Sequence, residues 1–152
     1  MPDVEYAFLA DAAETAPGQK FHVLGGGVSQ INGRVFPVVH PHLALVVGLR
    51  VSAVEGGRQH ELRFVLLGPA GQEVAEATGG LMAGTRPDGR DEVVTFSIDL
   101  WNLAFPTPGD YSLRVMVNGS EQRRLPLAVL AMPDPAAASP TERALPERRY
   151  DA

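Results

Sequence analysis

The part of the chain that most constrains its fold is residues 93–129, where apolar and polar residues alternate in three consecutive segments. This alternation is typical of β-strands that bury one face. A Pro-Thr-Pro-Gly sequence separates the first two segments, and Asn118-Gly119 separates the last two. Asn-Gly favours a two-residue hairpin, because both central residues of a type I′ turn need positive φ. The stretch therefore predicts three antiparallel strands.

Five further segments have the same extended character, and no segment is convincingly helical. They are residues 4–10, 20–24, 43–53, 60–67 and 73–77. We expect residues 43–53 and 60–67 to pair as a hairpin across the Glu-Gly-Gly-Arg turn. About eight strands joined by turns predict an all-β, antiparallel, immunoglobulin-like sandwich. Tyr111, just after the Pro-Gly corner, is placed to return its hydroxyl to the backbone as the corner tyrosine of such sandwiches does, and a plain core tyrosine is the alternative.

Composition divides the chain into one domain and a tail. Residues 1–130 are long enough to form one ordinary domain. Residues 131–152 contain four prolines and no alternating apolar face, so we expect a disordered tail. Pro126 lacks an amide donor, which predicts that its strand lies at a sheet edge or that Pro126 occupies a non-bonded position. Such an edge could pair with a partner or with a second copy of the chain.

Composition also makes several functions unlikely. The chain has no cysteine, which excludes disulfides, thiolate nucleophiles and zinc sites that need sulfur. A net charge of −5 argues against nucleic acid as a partner. The apolar run at residues 43–49 is far shorter than the ~20 residues of a membrane helix, and the N-terminus is acidic where a secretory signal is basic. We therefore expect a cytoplasmic protein with no membrane partner and no cofactor.

Four segments together resemble a family of small, uncharacterised bacterial proteins that carry a domain of unknown function. They read DVEYAFLADAAE, KFHVLGGG, FPVVHPHLALVVGLRV and LWNLAFPTPGDYSLRVMVNG, and the resemblance spans residues 3–129. It implies a compact β-sandwich. It supplies no catalytic residues.

Two groups of residues are candidates for binding. Trp101 and Phe105, with Asn102 beside them, could form a ring platform for a small ligand or carbohydrate at the rim of the sandwich. A tryptophan just after a strand is more often a lid on the core. Residues 78–91 predict a long loop whose apolar and basic side chains could contact a partner, namely Leu81, Met82 and Arg86.

The histidines are the remaining candidates for chemistry. His40 and His42 flank Pro41 and would face the same way in an extended segment, which could begin a metal site. No signature brings a third ligand to them, and no serine lies in a Gly-x-Ser-x-Gly elbow. The leading hypothesis is therefore a non-catalytic protein-interaction module. A small-ligand module near Trp101 is the alternative, and a histidine-based metal enzyme is a third possibility.

Overall fold

The computed structural model describes residues 1–16 and 20–133, which form nine β-strands. No helix in this described part is long and apolar enough to cross a membrane. The strands are β1 (Asp3–Glu14), β2 (His22–Gly26), β3 (Gln30–Gly33), β4 (Val38–Val51), β5 (Gln59–Leu67), β6 (Glu73–Met82), β7 (Glu92–Phe105), β8 (Gly109–Val117) and β9 (Ser120–Ala131).

The nine strands form two sheets that pack as a sandwich. Sheet A has the order β2-β1-β4-β7, and sheet B has the order β3-β9-β8-β5-β6. The all-β fold is confirmed, with nine strands where the sequence predicts about eight. The additional strand is β3, which runs parallel to β9 in an otherwise antiparallel arrangement. Its four residues include a glycine, so they carry too little pattern to be recognised as a strand.

The core is built on β4, the most deeply buried strand. Its inner row is at most 2% exposed and comprises Leu43, Leu45, Val47, Leu49 and Val51. Burying one such side chain stabilises the fold by roughly 1.5–3 kcal/mol. Ala44 and Val46, on the opposite side of the strand, are also fully buried. β4 lies between β1 and β7, and on its outer side Val46 is flanked by Phe8 and Ser97 of these two strands.

The predicted hairpin between β4 and β5 is wrong. β4 pairs with β1 and β7 in sheet A, whereas β5 pairs with β6 and β8 in sheet B. The turn-like residues 52–58 therefore cross from one sheet to the other. A turn signal reports that the chain reverses locally, but it does not say in which sheet the next strand finds its partners.

One predicted boundary is wrong. Residues 78–82 belong to β6 rather than to a loop, because their backbone pairs with β5 despite Gly79 and Gly80. β9 lies between β3 and β8, but β3 covers only residues 128–131, so Pro126 has a single neighbouring strand, as a non-bonded position requires. Ala131 is part of β9. The rest of the predicted tail, residues 134–152, lies outside the described residues.

Two local predictions agree with the backbone. The Tyr111 hydroxyl donates a hydrogen bond to the Thr107 carbonyl oxygen at 2.7 Å, which is the contact expected of a corner tyrosine. Asn118 and Gly119 have φ values of 49° and 82°, as the hairpin between β8 and β9 requires. The Tyr111 hydrogen bond lies near the start of β8 and the Asn118-Gly119 turn follows its end, so the two features hold β8 in place.

Candidate functional site

On one side of the sandwich the two sheets end in β6 and β7. Each of these strands has one neighbour, β5 and β4 respectively. The rings of Phe96 on β7 and Phe64 on β5 pack edge to face across the core, with centroids 6.2 Å apart. β6 and β7 are thus the edge strands that face each other on this side of the sandwich. A Cβ added at Gly79, in the middle of β6, would meet no atom within 4 Å.

A cavity of about 250 Å³ opens between these two edge strands. Its inner walls are aliphatic and aromatic side chains of the core, including Leu43, Phe64 and Leu66. The small side chains of Ala75 and Ala77 line it from β6. Glu76 on β6 and Trp101 on β7 complete the lining. Because both of these residues are exposed, the mouth of the cavity lies between them.

Trp101 is 65% exposed and lies across from His42 of β4. The indole and imidazole rings stack with centroids 4.1 Å apart. The Nε2 atom of His42 is 2.7 Å from Oδ1 of Asp99, two residues before Trp101. The three side chains form a cluster on the outer face of sheet A, directly beside the cavity mouth. Asp99 was not singled out by the sequence, because an isolated acid on a strand looks like ordinary surface charge.

Phe105 does not share this surface with Trp101. It is fully buried, and its ring packs edge to face against Tyr111 with centroids 5.1 Å apart. The predicted two-ring platform is therefore wrong. The reason is Asn102, whose φ of 51° interrupts the alternation of β7, so that the strand is exposed at Trp101 and Asn102 and buried again at Phe105. Of the predicted ligand residues, Trp101 and Asn102 remain accessible.

The same irregularity separates the two histidines. His40 pairs with Leu103, which packs against the core, whereas His42 pairs with the exposed Trp101. Paired residues share a face of the sheet, so the two imidazoles lie on opposite faces. The prediction that they face the same way is wrong. In the described part of the chain, no group of three or more His, Asp or Glu residues is arranged to hold a metal ion.

A second depression, of about 490 Å³, lies at the other end of the β6–β7 side. Met82 and Arg86, two of the predicted contact residues, line it together with Val93. Met82 is 65% exposed and Val93 is 40% exposed. Leu81 does not join them, because it is half-buried against the core. The structure thus brings two of the three predicted loop residues together, and it adds the first residues of β7.

Charges around the cavity mouth are mainly acidic. Arg63 of β5 donates hydrogen bonds to Glu76 at 2.9 Å and to Glu73 at 3.1 Å, so two carboxylates share one guanidinium group. The hydrogen bond from Arg63 lowers the pKa of Glu76, which therefore stays ionised near neutral pH. Asp99, 52% exposed, lies on the outer face of sheet A beside Trp101 and contacts His42. Glu76 is the one charged residue among those that line the cavity, so the apolar interior has one carboxylate at its mouth and a second, Asp99, next to Trp101.

His60 is the one buried polar side chain in the described core, and hydrogen bonds within the fold account for its burial. Its Nε2 atom lies 3.1 Å from the Glu55 carbonyl oxygen, and its Nδ1 atom lies 3.1 Å from Nδ2 of Asn118. Both ring nitrogens thus have partners within the fold. His60 ties the β8–β9 hairpin to the crossing between the sheets, and it does not open onto a pocket.

Comparisons with known proteins identify a family. A family model described as a family of unknown function, DUF6941, matches residues 5–130. None of the curated proteins matches the chain. Among solved structures, the Pseudomonas fluorescens alkylpurine DNA glycosylase AlkC, bound to DNA containing an abasic site analog, is similar over 68% of this chain, with 15% identity and a TM-score of 0.42. The chain spans 28% of the length of that protein, and so distant a similarity carries no functional argument.

Proposed function

This chain belongs to DUF6941, a family of unknown function, and we propose that it is a non-catalytic protein-interaction module that binds an extended segment of a partner along β7. The observation that supports this proposal is the apolar cavity between two edge strands. β7 ends sheet A and β6 ends sheet B on the same side, and the cavity is lined from both. An added strand would hydrogen-bond to β7 and cover β6, as in other cases of β-strand addition.

The composition of β7 supports this use of its edge. Natural edge strands commonly carry lysine, proline or inward-pointing charges, which prevent pairing with other chains. Between Val93 and Phe105, Asp99 is the single charged residue, and there is no proline. The strand is also long, at 14 residues. Apart from the irregular backbone at Asn102 and the Thr15 hydroxyl, which bonds to the Ser97 hydroxyl, the strand carries little protection, so its edge is a template for strand addition.

Photo-crosslinking tests the proposal. We place p-benzoylphenylalanine at Trp101, and in a separate variant at Leu24, which is 73% exposed on β2 at the opposite edge of sheet A. We expect adducts from position 101 in cells that make the protein, and mass spectrometry should map them to an extended segment of one partner. The purified partner should then slow amide exchange in β7. Equal adducts from both positions, or unchanged exchange in β7, would contradict the proposal.

A small ligand or carbohydrate bound near Trp101 is the second candidate function. One face of the indole stacks on His42, while the side chain remains 65% exposed. The exposed ring is available for stacking, and Asp99 and Asn102 supply polar groups beside it. Trp101 is the single tryptophan, so its fluorescence reports on this site alone. Emission that does not change across a panel of glycans and metabolites would eliminate this candidate.

We also propose that the protein acts in the cytoplasm. The absence of cysteine supports this location, because nothing in the fold depends on an oxidising compartment. Fractionation of cells that express a tagged chain should recover the protein with cytoplasmic markers. Recovery with membrane or secreted material would contradict the proposal.

A further inference from the structure

We infer that the segment bound along β7 is basic and carries one aliphatic anchor residue, of the size of leucine, isoleucine or methionine, whose side chain enters the cavity beside Trp101. This inference rests on the proposed function, and it specifies the chemistry of the partner. Three features carry it: the size of the cavity, its apolar walls and the carboxylates around its mouth.

Size and polarity define the anchor. An apolar cavity of about 150 Å³ holds one benzene molecule. The cavity beside Trp101 measures about 250 Å³, which accommodates one branched aliphatic side chain. Leu43, Leu66 and Ala77 are among the residues that line it, and their side chains offer no hydrogen-bond partner. A polar or charged anchor would lose its hydrogen bonds to water without replacement, so the cavity selects an aliphatic residue.

The β6 strand explains why the anchor has room to enter. Its inner positions pair with buried residues of β5 and are occupied by Ala75, Ala77 and Gly79. Three consecutive inner positions with such small side chains leave space where leucine or valine would fill it. In an added strand, every second residue would face this row. The bound segment should therefore alternate, with its anchor over Ala77 and small or apolar residues two positions away.

The carboxylates define the charge of the segment. The residues between the inward-facing positions would point to the outer face, beside Asp99. Glu76, which pairs with Arg63, lies across the mouth. Opposite charges at cross-strand positions attract, and like charges repel. A lysine or arginine next to the anchor therefore fits this mouth, whereas an acidic segment is rejected.

A displayed peptide library tests the inference directly. A random nonapeptide library is selected on the whole chain, and the enriched peptides are then measured against Ala77→Leu, Asp99→Asn and the control Ala70→Leu. Ala77→Leu fills the cavity from within, whereas Ala70 is exposed in the turn after β5, so the control adds the same atoms elsewhere. We expect alternating, basic peptides with one Leu, Ile or Met. Their affinity should fall at least about tenfold on Ala77→Leu and by roughly two- to fivefold on Asp99→Asn.

The outcomes separate this inference from the proposed function. Enriched peptides that bind wild type and Ala77→Leu equally, yet still crosslink at position 101, would overturn the anchor while strand addition stands. Enriched peptides that are acidic would overturn the charge assignment. If no enriched peptide crosslinks at position 101 or slows amide exchange in β7, both proposals are overturned. Circular dichroism and thermal melting establish that Ala77→Leu is folded, and Ala75→Val is the second variant if it is not.

Discussion

Trp101 and Phe105 are four residues apart on β7, yet they belong to opposite regions of the molecule. Phe105 lies in the closed end, where its ring packs on Tyr111 and the Tyr111 hydroxyl bonds to the corner. Trp101 lies on the open side, beside the cavity between β6 and β7. Both regions use one aromatic residue of the same strand. The difference between them shows that a single strand carries a fully buried aromatic residue and a largely exposed one.

At the closed end the aromatic side chains are covered by the chain itself, whereas on the open side an apolar cavity reaches the surface. At the closed end, each described apolar ring has a partner in the chain, and the backbone turn is hydrogen-bonded through Tyr111. On the open side, the small residues of β6 leave an apolar cavity between β6 and β7, and a Cβ at Gly79 would meet no atom within 4 Å. Substitutions in the first region should therefore change stability, and those in the second should change binding. Four predictions test that separation.

The largest effect is expected from Phe105→Ala at the closed end. The side chain is 0% exposed, so its removal leaves a cavity beside Tyr111, and such truncations cost about 3–5 kcal/mol. Urea unfolding followed by far-ultraviolet circular dichroism measures the loss, with Phe105→Leu as the control that retains most of the volume. A loss below about 1 kcal/mol would show that this end is not tightly packed.

A smaller effect is expected from Tyr111→Phe. The variant keeps the ring that packs on Phe105 and removes the hydroxyl that donates to the Thr107 carbonyl oxygen at 2.7 Å. One intramolecular hydrogen bond contributes about 0.5–1.5 kcal/mol to the free energy of unfolding, and we expect a loss in this range. Thr107 is exposed, so water can bond to the freed carbonyl. A stability equal to that of wild type would mean that the corner hydrogen bond contributes nothing.

On the open side, Trp101→Ala should reduce stability by about 1 kcal/mol or less. The side chain is largely exposed, and its main contact is the cross-strand ring of His42. Partner binding should nevertheless be lost in the same variant. Leu24→Ala, at the opposite edge of sheet A, should affect neither property. A loss of stability comparable with that of Phe105→Ala would remove the distinction between the two regions.

The smallest effect is a local pH dependence in the loop between β6 and β7. The Arg86 guanidinium, with the Arg90 backbone amide, lowers the pKa of Asp88 from its ordinary 3.8 to about 2. Because the pKa is lower in the folded chain, the ionised carboxylate stabilises this turn above pH 3.8, and the contribution is lost as pH falls through about 2. The Arg90 amide resonance should follow this transition by NMR. In the control Asp88→Asn, the Arg90 amide resonance should show no such transition. A midpoint near pH 3.8 in the wild-type chain would show that the contacts of Asp88 do not form in solution.

Local features of the fold were predictable, because they depend on neighbouring residues. Alternation identified β4, β5, β7 and β8, and Asn118-Gly119 identified a hairpin through its tolerance of positive φ. Strand partners were not predictable in the same way. The β4–β5 turn suggested a hairpin, but the two strands lie in different sheets. Pairing with β5 also overrode the weak strand tendency of Gly79 and Gly80, which had suggested a loop.

The candidate site was only partly predictable. Trp101 was recognisable as the single tryptophan at the end of an alternating segment, and Met82 and Arg86 as side chains between glycines. Phe105 was misplaced, because the backbone at Asn102 breaks the alternation on which the prediction depended. Ala75 and Ala77 were missed, since small residues in a short strand have no functional signature. They acquire a role only in the fold, where they line the cavity between β6 and β7.

The amino-acid pattern alone was sufficient for an all-β sandwich with a closed corner at Tyr111, because alternation, turn residues and positive-φ preferences act over a few neighbouring positions. The widths of the two sheets, the cavity beside Trp101 and the separation of His40 from His42 arose only in the tertiary structure. Each depends on which distant strands pair and in which register, and that choice is made by the burial of the whole core.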